Sequence, residues 1–521
     1  MAPVPQGGVW RMQLRWVPGG PALPGGADAA IPDRVRGRRY PVSTRTQTAA
    51  ALIVSAALLL WPALWNGYPL VFDDTGTYLS QAVHHYLGWD RPVFYSLFLL
   101  SLHLTISTWP DIAAQALLAA VLLHLVRRTL LPAASPWGLL PLAATLSATT
   151  ALPWFAAQLM PDVFTPLLIL ALSLLLFSPD RLSRPQHAAL VLFATFCIAA
   201  QQSSVALCCA LLLVLAPLRR VLGAAAPLGS FGWAALSAPP LLAGAALIAV
   251  NLAGFGRASP FPFGNVFLLA RVIYDGPGMD VLRRDCPRPG WDLCPYLGNF
   301  PPTSDEFLWR PDSPVVLAGG HKHVSDEAGA IIAAALRAEL GTELRAWLRN
   351  GVNQLGMFDS GDELRACPAT VTPWIDRDFP QFERAAYAAS RQTGGRLAVP
   401  AWLQIVHRTT ALAGVAGCVL VLAVGIRRRH PAAGFAAAVL LAVLANAFIA
   451  GGLSAPHHRY GSRVMLLAPA VALLGGAALA RGARAGRCHR PPAPGHPDAP
   501  SSRVCGEDAA AGGPEQTADA A

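Results

Sequence analysis

Two adjacent carboxylates, Asp73 and Asp74, stand in the stretch GYPLVFDDTGTYLSQAVHHYLGWDRPVFYS (residues 67–96), directly after the first long apolar run. Tyr78, His84, His85, Asp90 and Arg91 follow within a few turns. A carboxylate shielded by protein near a membrane surface can take a proton from a hydroxyl as a general base. The competing reading is a solvated acidic loop in which Asp74 or Thr75 caps the next helix. A third acid, Asp162 in LMPDVF, opens another apolar run. Pro161 and Asp162 suit a helix start, yet two acidic sites on one membrane face can also converge. Converging carboxylates hold substrate hydroxyls or, through Asp73 and Asp162, Mg²⁺ or Mn²⁺.

Cations accompany them. Arg91 precedes Pro92, and HHRYGSR carries His457, His458, Arg459 and Arg463 before the last apolar run. Arginine forks onto phosphate with two parallel hydrogen bonds; snorkelling to lipid head groups is the alternative. His84, His85, His457 and His458 read more readily as interfacial or solvated side chains. Cys286 and Cys294 in CPRPGWDLC either close a small disulfide loop in an oxidising space or stay as two thiols.

These residues need a scaffold, and composition says which kind. The chain has 521 residues, 54% hydrophobic and 13% charged, against about 25% charged in a soluble domain. Repeated apolar runs near the bilayer-spanning length make it an all-α polytopic membrane protein of about 10–11 transmembrane helices. The net charge of +10 comes from short arginine clusters between spans. They orient the chain by the positive-inside rule and do not form a nucleic-acid face. The cysteines show no CxxC or Cys/His metal spacing.

Residues 1–46 read as a disordered cytoplasmic arm, with no signal peptide because the apolar run starts too late. Residues 47–253 form an N-terminal transmembrane region, 254–400 an extracytoplasmic domain of mixed structure, 401–481 the C-terminal helices, and 482–521 a disordered cytoplasmic tail. Arginine-bearing sites at 127–128, 181–184, 219–220, 427–429 and 481–487 all fall inside if 92–109 lies along the outer leaflet and 188–218 forms two short limbs turning at Gln201–Ser204. Otherwise 92–109 crosses, or 188–218 is one long span. The expected location is the inner (plasma) membrane with both termini cytoplasmic.

An acidic pair after the first span, then an aromatic and a basic-Pro helix, resembles the type C integral membrane glycosyltransferases, which include the protein O-mannosyltransferases and the aminoarabinose and related lipid-linked sugar transferases. FDDTGTYLSQA and DRPVFYSLF take the places of that family's first loop, with Asp74 where it carries Glu and a single Pro92. LMPDVFTPLLILALSLLLF is similar to the later acidic span, and RYGSRVMLLAPA to the segment that holds the lipid phosphate. The resemblance covers 49–180 and, more loosely, 455–480. It implies transfer of a sugar from a polyprenyl phosphate to an acceptor at the extracytoplasmic face. Asp73 would be the base, Arg459 or Arg463 would hold the phosphate, and no nucleotide-sugar site is needed. A lipid or solute transporter, or a non-catalytic assembly protein carrying 254–400, remains open as another reading.

Overall fold

The computed structural model describes residues 42–224 and 227–488, and these are helical, with an isolated bridge between Leu70 and Gln158 in place of any strand. The expected arm lies outside the described residues through residue 41, and the tail beyond residue 488. Helix Val42–Leu58 begins inside the first, and Leu467–Cys488 runs on into the second.

Five helices are long and apolar enough to cross a bilayer: Trp109–Leu130, Ser230–Phe255, Ala401–Arg427, Ala432–Gly451 and His458–Gly482. Hydropathy suggests about twice that number because it does not register breaks in the backbone. The first apolar run stops at Leu58 and restarts at Trp61 with Pro62 in its first turn. The run 137–154 is divided between Leu139–Thr149 and Leu152–Ala156. The run 188–218 breaks at Gln201, whose backbone is extended, between Arg184–Ala200 and Ser203–Leu218. Pieces of 16 and 17 residues rise about 25 Å, short of the ~30 Å hydrocarbon core.

Both ends of segment 92–109 contact the 254–400 insertion. Its helix, Val93–His103, ends in two residues with left-handed backbone, Leu104 and Thr105. At its start Arg91 sits 5.9 Å from the Trp309 ring; at its end the Thr108 amide donates to Glu383 at 2.7 Å. Trp309 and Glu383 both belong to the 254–400 insertion.

The bundle therefore has two unlike ends. At one, arginines tie helix termini together. Arg128 donates to Gln186 (3.1 Å), Arg219 to the Leu176 carbonyl (3.1 Å) and Arg428 to the Leu479 carbonyl (2.8 Å), and Arg181 reaches the Thr129 carbonyl. Gly223, at φ +89°, packs so tightly on the His430 backbone that a Cβ there would lie 2.3 Å from its carbonyl oxygen. At the other end are the 67–92 loop, Asp162, the Gln201 break and the insertion.

The insertion is helical, not mixed. Prolines at Pro277, Pro314 and Pro373 open three of its helices, where a missing N–H costs nothing. The Thr303 and Ser313 hydroxyls accept amide hydrogens at two helix starts. Its side chains serve two cores. Val266, Leu269, Ile273, Leu282, Phe307 and Ile331 pack in a core of their own; Cys367, Val371, Ile375, Phe379 and Tyr387 join the core of the bundle. Cys286 and Cys294 are joined as a disulfide, Cα atoms 5.5 Å apart.

Candidate functional site

The two adjacent acids take different partners. Just before them, Leu70 pairs with the 157–159 backbone: its amide donates to the Ala157 carbonyl (2.9 Å) and the Leu159 amide donates to its own (2.8 Å). Buried Gln392 then clamps Val71 from both sides, accepting from its amide at 3.0 Å and donating to its carbonyl at 2.7 Å. The same amide group donates to the Arg365 carbonyl at 3.1 Å. So held, Asp73 accepts from Arg365 (2.7 Å) and from the Thr370 hydroxyl (3.1 Å), and its side chain is 32% exposed. Asp74 turns the other way to Arg91 at 2.7 Å.

Neither Asp74 nor Asp162 caps a helix with its side chain. Thr75 ties its own turn instead, accepting from the Phe72 amide and donating to the Leu159 carbonyl. Gly76 allows the close approach of the insertion. A Cβ there would fall 1.8 Å from the Thr370 carbonyl oxygen, which no repacking of side chains could relieve.

Deeper in, Asp162 is 1% exposed and Arg463 is fully buried. Arg463 donates to Asp162 at 2.8 Å, to the Ser203 hydroxyl at 3.1 Å and to Asn446 at 3.2 Å. Asn446 also ties down the neighbouring turn, its side-chain amide donating to the Tyr460 carbonyl at 2.7 Å. Arg459 approaches Asp162 at 4.0 Å and sits over the Phe72 ring, its Cζ 3.9 Å from the centroid. Its Nη1 is buried without a partner, and Arg459 lines a small cleft with Trp154, Gln158, Asp362, Leu364 and Ser462.

The first loop and the late loop meet here. Arg91 is held protonated beyond its usual range: burial alone would lower it, and the Asp74 and Asp90 carboxylates outweigh that. Burial pushes the Asp90 carboxyl up, Arg91 opposes, and Asp74 adds to the rise. The Tyr78 hydroxyl is pushed up by burial, against Arg91 and with Asp74, Asp162 and Asp90. Tyr78 packs edge-on to Tyr95, so it walls the cluster. Gln202 donates to the Asp90 carbonyl at 3.2 Å, bringing the break at Gln201 to the same place.

His457 stands apart. Its ring faces Asp305 at 3.5 Å, and its backbone amide is bound by Gln354 at 2.9 Å. Asp73 and Asp162 each face guanidinium groups, and no group of three or more His, Cys, Asp or Glu side chains is gathered among the described residues. A divalent ion between them would have to displace Arg365 and Arg463 and then sit beside Arg459, so this donor set does not fit Mg²⁺ or Mn²⁺.

Several partners were not singled out from sequence: Arg365, Thr370, Gln392, Ser203 and Asn446. The run DSGDELRAC at 359–367, dense in charge, carried a signal. Arg459 takes its backbone partner from that run, donating to Asp362 at 3.0 Å. Glu363 beside it has its carboxyl pushed up by burial, against Arg459 and His457. Gln392, Ser203 and Asn446 are ordinary polar residues whose roles depend on the fold. No known protein family, curated protein or solved structure matches this chain.

Proposed function

We propose that this chain is a membrane glycosyltransferase that moves a sugar from a polyprenyl-phosphate donor to an acceptor at the extracytoplasmic face. In this reading the shorter helices join the five long ones in a bundle of about ten spans in the inner membrane, the arginine-tied end faces the cytoplasm, and the insertion lies outside. The observation that supports it best is the pairing of a part-exposed carboxylate, Asp73, with a buried, incompletely bonded guanidinium, Arg459, on loops that meet at one end of the bundle. Asp73 accepts the acceptor's proton once Arg365, 67% exposed, swings aside. Arg459 donates from its unpartnered Nη1 to the donor phosphate and stabilises the charge that grows as the phosphate leaves. Arg463 already donates to three side chains, so its role is to hold Asp162 and, through it, Arg459.

A transporter reading draws on Asp111, fully buried at the start of Trp109–Leu130 with both carboxylate oxygens unpartnered, because intramembrane acids often carry protons or ions. The test that separates the two uses the full chain in detergent and in sealed vesicles with a radiolabelled polyprenyl-phosphate sugar. Transfer to acceptor in detergent, lost in Asp73→Asn and retained in Asp111→Asn, is the expected result. Movement of label across the vesicle wall without transfer, abolished by Asp111→Asn, would replace the enzyme with a carrier.

A further inference from the structure

Helix His321–Gly356 changes character along its length. Up to Ala335 it fills the core of the insertion with Val324, Ala328, Ile331 and Ile332. Glu339 departs from helical backbone (φ −141°, ψ 49°), and beyond this kink the pattern inverts. Leu340, Leu344, Leu348 and Val352 recur every four residues, and each is between 50% and 59% exposed. On a helix, positions four apart form one stripe. Arg345 and Arg349 are exposed along its flank, while Glu343 on the opposite side is buried facing Arg271 at 3.8 Å.

The stripe sits where a bilayer surface would be. Trp347 donates its indole N–H to the Phe448 carbonyl at 3.0 Å, at the end of the apolar helix Ala432–Gly451. Contact with that helix end is intimate: a Cβ on Gly351 would lie 2.3 Å from the Phe448 ring, and one on Gly452 would lie 2.5 Å from the Trp347 indole. The second half of the helix is thus pinned by glycines to the mouth of a span, with its leucines about half exposed.

We infer that residues 340–352 form an interfacial helix lying in the head-group and acyl boundary of the leaflet on the insertion side. Its leucines are in lipid, and Arg345 and Arg349 reach the phosphates. An amphipathic helix with an apolar face and basic flank binds a bilayer in this way, and arginine stems tolerate that boundary while their heads stay wet. Its C-terminal end also grips the cationic loop: Gln354 donates to the His457 carbonyl at 2.8 Å and accepts from the His457 amide at 2.9 Å. Anchoring this helix in lipid therefore sets the depth of Arg459, two residues on. The inference rests on the membrane reading of the bundle and not on the transferase chemistry.

The test labels the full chain with a nitroxide at Leu344→Cys, Leu348→Cys or Asn353→Cys. Cys209, Cys488 and Cys505 are replaced by Ser, and the protein is reconstituted in phosphatidylcholine–phosphatidylglycerol vesicles. Collisions with dissolved oxygen and with a water-soluble nickel chelate are compared. Oxygen-to-nickel ratios at 344 and 348 several-fold above that at 353 are expected. Equal ratios at all three, the signature of water, would overturn the proposal. So would exclusion of both reagents at 344 and 348 with dipolar broadening between labels, the signature of a second copy covering the stripe. Labels at Leu340 and Val352 repeat the measurement should a label at 344 or 348 prevent folding.

Discussion

Arginine does two different jobs at the two ends of this bundle. At one end Arg219 and Arg428 each donate to a main-chain carbonyl: Leu176 in the last turn of Phe164–Phe177, where helix carbonyls lack partners, and Leu479 within Leu467–Cys488. At the other end Arg91, Arg459 and Arg463 face Asp74 and Asp162. The first arrangement needs only a guanidinium within reach of a backbone carbonyl, whichever residue carries that carbonyl. The second needs two specific side chains from distant parts of the chain, one of them fully buried. Loss of a single residue should therefore have very unequal effects at the two ends.

The largest effect should come from Asp162→Asn. It leaves Arg463, fully buried, without its carboxylate. Removing one partner of a buried pair typically costs about 3–5 kcal/mol. Thermal unfolding in detergent should shift down strongly, with activity lost. The double variant Asp162→Asn/Arg463→Met should recover much of the stability and none of the activity. Full stability in Asp162→Asn alone would put the buried pair's importance in question.

Asp73→Asn should separate chemistry from stability at the same end. Its partner Arg365 is mostly exposed, so an unpaired guanidinium there is readily hydrated and the melting profile should barely move. Loss of a general base typically lowers rate by about 10²–10⁴. Asp74→Asn, by contrast, removes the partner of Arg91, whose side chain is 18% exposed, and should lower stability more than Asp73→Asn does. An Asp73→Asn enzyme with full turnover would remove the base assignment.

Gly76→Ala tests how the insertion is seated on the first loop. Helix propensity alone favours Ala over Gly by about 1 kcal/mol, so an isolated helix would gain. Here the new methyl would lie 1.8 Å from the Thr370 carbonyl oxygen, and overpacking against backbone costs about 1–3 kcal/mol. The variant should be less stable, and less active because Thr370 and Arg365 retreat from Asp73. A more stable Gly76→Ala protein would show that the insertion does not press on this helix.

The difference between the two ends also explains what the sequence reveals. Asp73, Asp74, Arg91, Asp162, Arg459 and Arg463 stand out in the chain because charge is scarce there, and the arginine clusters because they recur between apolar runs. The polar break near Gln201 was legible for the same reason. Helix length was not: the run 137–154 carries no charge, its Thr145, Ser147, Thr149 and Thr150 are tolerated within helices, and only the backbone reveals its division at Thr150. That Asp73 and Asp74 point opposite ways follows from their adjacency on an extended segment, but which partners each would meet does not. That depends on Gln392 clamping Val71 across 321 positions, and a lone Gln carries no signal. Leu340, Leu344, Leu348 and Val352 stand at helical spacing in the chain, but periodicity alone does not say whether such a face is covered by protein or by lipid.

The smallest effect should be Arg428→Gln, at the opposite end from the acids. Arg428 is exposed and makes one hydrogen bond to the Leu479 carbonyl, 2.8 Å long. A net intramolecular hydrogen bond contributes about 0.5–1.5 kcal/mol, and because Arg428 is exposed its replacement leaves no charge buried. Gln keeps a donor and removes the charge, so unfolding should change only slightly and turnover not at all. Orientation is the sharper readout. Arg427, Arg428 and Arg429 form one cluster, so removing a single charge should leave the topology intact, and an introduced cysteine at residue 305 should label from the outside in the variant as in the parent. If Arg428→Gln were as damaging as Asp162→Asn, the arginines at this end would be doing more than closing helix termini, and the contrast between the two ends would fail.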